Sequence, residues 1–262
     1  MATRTLPLIA LMTDFGTTDW YAACMKAVIL GICPQARVVD ITHDIPPQDV
    51  LSGAMTIGAA SPWFPRDTVF ACVIDPGVGS SRRLIAARAD HHWFVGPDNG
   101  VFGLVFQRAK RLSLARLTNP RYWLPAVSHT FHGRDIIAPV AAHLARGRTL
   151  RALGVAQARY QTLSLPPLQR TRRALRGRVI YIDTFGNLIT NLPGSLLALS
   201  RDSQVRYHTT TARVVSSYAA GRHGELIALI GSSGYVELAL RDGSAARRFR
   251  ARRGDRVELH QG

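Results

Sequence analysis

Lysine is almost missing from this 262-residue chain: Lys26 and Lys110 are its lysines, so arginine supplies nearly all of a formal charge of +16. The arginines are scattered rather than interleaved with aromatics, so charge alone does not make a stacking platform for nucleic acid. Cysteine is scarce too. Cys24, Cys33 and Cys72 form no CxxC pair and leave one over, which argues against zinc ligation and fits reduced thiols. No apolar run reaches bilayer length, and Leu6 to Met12 ends against Thr13 and Asp14 rather than at a small-residue cleavage site. The expectation is a cytoplasmic protein without a membrane partner.

What remains is ordinary globular material, 47% hydrophobic and 19% charged. The first half alternates β-like runs with helical stretches, the pattern of an α/β domain with a largely parallel sheet. Strands are expected at Leu6 to Met12, Val38 to Ile41 and Val69 to Ile74, with a hairpin from Leu84 to Ala89 and His92 to Val95. Helices are expected from Trp20 to Gly31, Val50 to Ala60, Val101 to Lys110, and Asp135 to Arg146 despite Pro139. Pro166, Pro167 and a basic run read as a linker over 166–176, separating an N-terminal α/β domain (1–165) from a smaller C-terminal all-β domain, barrel or sandwich (177–262).

Polar clusters follow the apolar strands, where open α/β sheets place ligands. Asp14, in Thr13-Asp14-Phe15-Gly16, can accept bonds from a sugar diol or cap the next helix. In Asp75-Pro76-Gly77-Val78-Gly79-Ser80-Ser81-Arg82 the third glycine of GxGxxG is replaced by Arg82 and strand follows, so no dinucleotide loop forms. A carboxylate and a guanidinium remain near a strand end, as a stiffening salt bridge or as a site. In Thr130-Phe131-His132-Gly133-Arg134-Asp135, His132 is a base, a donor or a structural ring, and Asp135 a cap. In Asp183-Thr184-Phe185-Gly186-Asn187, Phe185 can stack on a flat base while Asp183 and Asn187 bond polar substituents, unless the segment is only a turn.

Seven ordered blocks, TDFG at Thr13, DITHDIP at Asp40, VIDPGVGSSRR at Val73, GPDNG at Gly96, TFHGRD at Thr130, DTFGNLITN at Asp183 and SSGYVELA at Ser232, resemble the S-adenosyl-L-methionine hydroxide adenosyltransferases. These are the water-using relatives of the fluorinating and chlorinating adenosyl halogenases. The resemblance implies an α/β domain plus a smaller β domain, assembled as a homotrimer with sites between subunits. It implies that Asp75, Arg82 and His132 handle water, that Asp14 holds the ribose, and that Phe131 and Gly133 touch substrate. Asp183, Phe185 and Asn187 would take the adenine and amino acid part, with Ser232 and Ser233 adding polar contacts. S-adenosylmethionine is then the substrate, no separate cofactor or metal is needed, and the products are adenosine and L-methionine. Halogenases lack an acid at the position of Asp75, and the fluorinating branch has serine where this chain has Gly133, so water is the expected nucleophile. Chloride as nucleophile, or a binding module without turnover, are the alternatives.

Overall fold

A computed structural model describes residues 6–172, 174–198 and 203–260. The chain separates into two compact units, residues 1–163 and 164–262.

The first unit runs β1 (Leu8–Thr13), α1 (Tyr21–Ile32), β2 (Arg37–Thr42), α2 (Val50–Ala60), β3 (Val69–Val73), β4 (Leu84–Ala89), β5 (His92–Pro97), α3 (Gly103–Arg108), β6 (Leu112–Leu117), α4 (Ala138–Ala145), α5 (Leu150–Leu153) and β7 (Gly154–Gln157). Its seven strands form one sheet in the order β2-β1-β3-β5-β4-β6-β7. The first four are parallel and the hairpin β5-β4 turns the rest antiparallel. Successive strand side chains point to opposite faces. Ile9, Leu11, Ala71 and Val73 therefore pack on one face with Met25 and Ile29 of α1 and Val140 and Ala141 of α4. Ala10, Met12, Phe70 and Cys72 pack on the other with Ile57, Phe102 and Phe106. Both faces are covered, which explains why β3 reads as an unbroken apolar run, buried throughout.

The expected α/β reading holds, with differences at particular elements. The segment from Val101 to Lys110 is helical only over α3, and β6 and β7 were not anticipated. The helix expected from Asp135 begins earlier, as a π-helical turn over Gly133–Ile137 that runs into α4. Pro139 is tolerated because it sits in the first turn of α4, where the missing N–H costs little.

The second unit comprises β8 (Gln169–Arg170), β9 (Leu175–Ile182), β10 (Leu188–Pro193), α6 (Ser195–Ala198), β11 (Gln204–Tyr207), β12 (Thr210–Val214), β13 (Leu226–Ile230), β14 (Tyr235–Leu240), α7 (Ala245–Phe249) and β15 (Arg256–His260). The order β10-β14-β13-β12-β11-β15-β9 is closed by pairing of β9 with β10, so the sheet is a barrel, and β8 adds to β9 as a flap. Segment 166–176 thus carries β8 and the start of β9. Val179, Leu188, Tyr207, Leu226, Val236, Leu238, Val257 and Leu259 fill the interior. Closure removes the sheet edges that an open all-β layer would expose.

Candidate active site

Parallel strands β1 and β3 lie side by side, with Thr13 opposite Val73, so the loops leaving their carboxyl ends emerge together. Asp14 follows one and Asp75 the other. A cleft of about 400 Å³ opens there, lined by Asp14, Phe15, Trp20, Tyr21, Val73, Asp75, Val78, Ser128, Thr130, Phe131, His132, Gly133 and Arg134. All of these residues belong to the first unit.

The Asp75–Arg82 loop doubles back sharply. Gly79 sits at φ +78°, and a Cβ there would meet the His129 carbonyl oxygen at 2.5 Å, so only glycine lets this loop press on the segment carrying His132. Arg82 Nε donates to Asp75 Oδ1 and Oδ2 at 2.8 and 2.9 Å, and Nη2 donates to Oδ2 at 2.5 Å. The same Nη2 lies 2.8 Å from His132 Nδ1. A guanidinium only donates, so Nδ1 accepts and the ring proton sits on Nε2. Burial, then the Arg82 charge, holds His132 below the usual imidazole range, which keeps it neutral. The Asp75 and Arg82 side chains are only 4% and 13% exposed. The pair is therefore a salt bridge, and it also reaches a third polar group at the cleft wall.

Asp14 is not a helix cap: α1 begins at Tyr21 without a side-chain cap. Its Oδ2 instead accepts from the Gln48 N–H at 2.8 Å, and burial raises its pKa above the ordinary carboxylate value. Nor does Asp135 cap its helix. Fully buried in the π turn, it accepts from the Ser128 N–H at 2.8 Å and from Arg134 Nε at 2.6 Å, and so fixes the cleft-wall segment at Ser128. Burial opposes its ionisation, but the bonds from Arg134 and Ser128 prevail and lower its pKa.

Aromatic rings form a further wall. Phe131 meets Tyr21 and Phe15 edge-on at centroid distances of 5.2 and 5.8 Å, and Trp20 joins Tyr21 at 5.5 Å. Phe15, Trp20, Tyr21 and Ser128 were not singled out in the sequence. A two-residue spacing between Phe15 and the buried strand, or a Trp-Tyr pair at a helix start, carries no chemical signal on its own.

The second unit gathers Asp183, Phe185 and Asn187 in one turn. Asp183 Oδ1 accepts from the N–H groups of Phe185 and Asn187 at 3.0 and 2.8 Å, and Oδ2 accepts from Asn187 Nδ2 at 2.9 Å. Gly186, at φ +83°, closes it. The segment is therefore a turn, and Phe185 stands 76% exposed above it. Ser232 is exposed, whereas Ser233 Oγ is buried without a hydrogen-bond partner among the described residues. Two unanticipated groups sit nearby: Tyr218 donates to buried Glu237 Oε1 at 2.5 Å, and burial together with the charge of Asp183 raises the Glu237 pKa. Tyr218, 35 residues beyond Asp183, lies in none of the seven blocks, and Glu237, although inside SSGYVELA, reads there as a polar position of a strand. Among the described residues, no group of three or more His, Cys, Asp and Glu side chains is arranged to hold a metal ion, and no helix is long and apolar enough to cross a membrane.

A half-buried carboxylate–guanidinium–imidazole set at the carboxyl ends of parallel strands, beside a cleft of small-molecule size, defines an α/β enzyme with a companion β-barrel. The chain belongs to the SAM hydroxide adenosyltransferase family: its residues 9–154 match the N-terminal domain of that family and residues 177–258 the C-terminal domain. It is 39% identical to the (R)-S-adenosyl-L-methionine hydrolase of Salinispora tropica, over 98% of each chain. It is 36% identical to the enzyme of that name from Thermus thermophilus, over 96% of this chain and 98% of the other. A fluorinase of an Actinoplanes species is 30% identical, over 89% and 90%. The crystal structure of an uncharacterized conserved protein from Thermotoga maritima superposes with a TM-score of 0.90 at 35% identity, covering 97% of this chain and 100% of that one.

Proposed function

We propose that this enzyme hydrolyses S-adenosyl-L-methionine to adenosine and L-methionine. The observation that carries the reading is the Asp75–Arg82–His132 cluster: three groups that orient and deprotonate water, set in the wall of a cleft. In the reaction a water oxygen bonds to the ribose 5′ carbon as the carbon–sulfur bond breaks in line. The bonding pair leaves on sulfur, giving a neutral thioether, so the leaving group needs no acid. One proton must leave the water. His132 has no lone pair to spare, since Nδ1 accepts from Arg82 and Nε2 carries the ring proton, whereas Asp75 Oδ1 accepts one bond from Arg82 and keeps a second lone pair to take it while the guanidinium steadies the developing hydroxide. Holding the oxygen in line supplies much of the rate by orientation. Asp14 takes the ribose hydroxyls, with Phe131 and Gly133 against the substrate, and Asp183, Phe185, Asn187, Ser232 and Ser233 take the adenine and amino acid ends. No metal or added cofactor enters the scheme.

The sulfonium is itself a stereocentre, and the most similar relatives cited above are named for its R form, so the R diastereomer is the proposed preferred substrate. Purified protein given each diastereomer should release adenosine and methionine faster from the R form. Absence of adenosine above the spontaneous rate from either would overturn the assignment.

The finer proposal is a cytoplasmic homotrimer in which the barrel unit of one copy completes the cleft of the next. The exposure of Trp20 and Phe185, 66% and 76%, supports it, since a stacking ring needs a second surface. An Arg82→Lys variant mixed with an Asn187→Ala variant should then regain activity at roughly a quarter of sites, the share that pairs two intact units in a heterologous ring. Mutants that never complement after confirmed subunit exchange would show that each chain completes its own site.

A further inference from the structure

The DITHDIP segment has no role in the scheme above, yet it forms a polar chain, partly exposed at Lys26 and Asp40 and buried at His43 and Thr13, with the strand that leads to Asp14. Lys26 Nζ of α1 donates to Asp40 Oδ2 of β2 at 2.6 Å. Asp40 Oδ1 stands 3.0 Å from His43 Nε2, a bent contact rather than an aligned hydrogen bond. His43 Nδ1 is 2.8 Å from Thr13 Oγ1, and the Phe15 N–H donates to that same hydroxyl oxygen at 3.3 Å. Thr13 is fully buried and His43 is 5% exposed, so neither reaches water easily. The His43 backbone also takes part, its carbonyl accepting from the Gly16 N–H at 2.8 Å.

We propose that Asp40 and His43 are positioning residues that fix the loop presenting Asp14 to the ribose. The inference rests on the hydrolase reading for its substrate. A carboxylate beside Nε2 draws the imidazole proton to that nitrogen, which leaves Nδ1 to accept. Thr13 must then give its hydroxyl hydrogen to Nδ1, turning its lone pairs toward the Phe15 N–H. The peptide on either side of Asp14 is thereby held at Thr13, Phe15 and Gly16, while Gln48 holds the carboxylate itself. With the tautomer reversed, Nδ1–H would take one of the two lone pairs of Thr13 Oγ1 and its hydroxyl hydrogen would need another acceptor, so the link from Asp40 to the loop would weaken.

The test is binding by calorimetry with adenosine, which carries the ribose but requires no turnover. His43→Leu should weaken adenosine binding and raise KM for S-adenosylmethionine about tenfold or more, with kcat changed far less. His43→Asn, whose amide oxygen can stand where Nδ1 accepts, should recover most of that loss. In an Asp14→Ala background, His43→Leu should have almost no further effect on adenosine binding. Equal losses with and without Asp14, or a fall in kcat at unchanged KM, would overturn the proposal. If the wild-type protein binds adenosine but releases none from S-adenosylmethionine, the hydrolase reading fails while this one stands.

Discussion

Replacing Arg82 separates the two roles its geometry assigns it. Removal by Arg82→Ala leaves the Asp75 carboxylate, only 4% exposed, without its counter-charge. Breaking a buried pair from one side costs about 3–5 kcal/mol. At roughly 2–4 °C per kcal/mol for a chain of this size, the melting temperature should fall by about 6–20 °C. Arg82→Lys keeps the charge but cannot reproduce the fork that reaches both Asp75 oxygens and His132 at once. It should lose about 1–2 kcal/mol of stability, about 2–8 °C, because one charge-assisted bond survives. Turnover should nevertheless drop about 10²–10³-fold, the usual effect of losing a positioned donor to a developing oxyanion. Thermal unfolding by circular dichroism and adenosine release at 25 °C measure the two effects. If the bridge only stiffened its loop, Arg82→Lys would show the same small loss of stability and keep its turnover. A folded Arg82→Lys protein with kcat within a few-fold of wild type would refute the catalytic role.

Burial and Arg82 lower the pKa of His132 from 6.5, so the folded protein resists its protonation. Its contribution to stability is present above about pH 6.5 and is lost as pH falls through the lowered folded value, and the acid limb of turnover should lie below 6.5; an acid limb centred above that value would contradict the neutral ring. Asp14→Ala should raise KM about 10–100-fold with a smaller change in kcat, as expected for a charge-assisted contact made in ground and transition states alike; equal losses in kcat and kcat/KM would reassign Asp14 to the chemical step. In molar chloride, with product identified by mass spectrometry, adenosine should remain the product; a 5′-chloronucleoside would reverse the choice of nucleophile.

The fold and the first-unit site were legible to the extent that local sequence determines them. β3 announces itself because both of its faces are buried, and Asp75, Arg82 and His132 stand out because each follows or precedes a strongly patterned element. The ambiguity lay in partners. Asp14 reads as cap or ligand and Asp135 as a cap, and neither cap reading can be set aside until the Gln48 and Ser128 amides, 34 and 7 residues away, are brought to them. β7 is a four-residue edge strand, too short and too exposed for a period of two to register. β10 is buried throughout but for Pro193, so it lacks alternation, and its bounds after the Asp183 turn are not marked by a period of two. Glu237 looks like one polar position in an alternating strand. Only barrel closure, by pairing β10 with both β9 and β14, brings β14 and its Glu237 toward the turn at Asp183.

The same partners decide what the cleft accepts as nucleophile. Two unit charges about 4 Å apart interact by about 4 kcal/mol at an effective dielectric constant of 20. A halide beside Asp75 meets that repulsion, and the attraction of Arg82 only offsets it, because the guanidinium is committed to the same carboxylate through Nε and Nη2. Asp14, at the other side of the strand pair, adds a second negative group, one whose raised pKa already reflects burial and the nearby charge of Asp75. Water carries no net charge and both gives and accepts hydrogen bonds, so a carboxylate and a guanidinium fixed together favour it at both ends. In the proposed scheme, the ion pair that looks like structural reinforcement in the sequence is the feature that sets water apart from an anion.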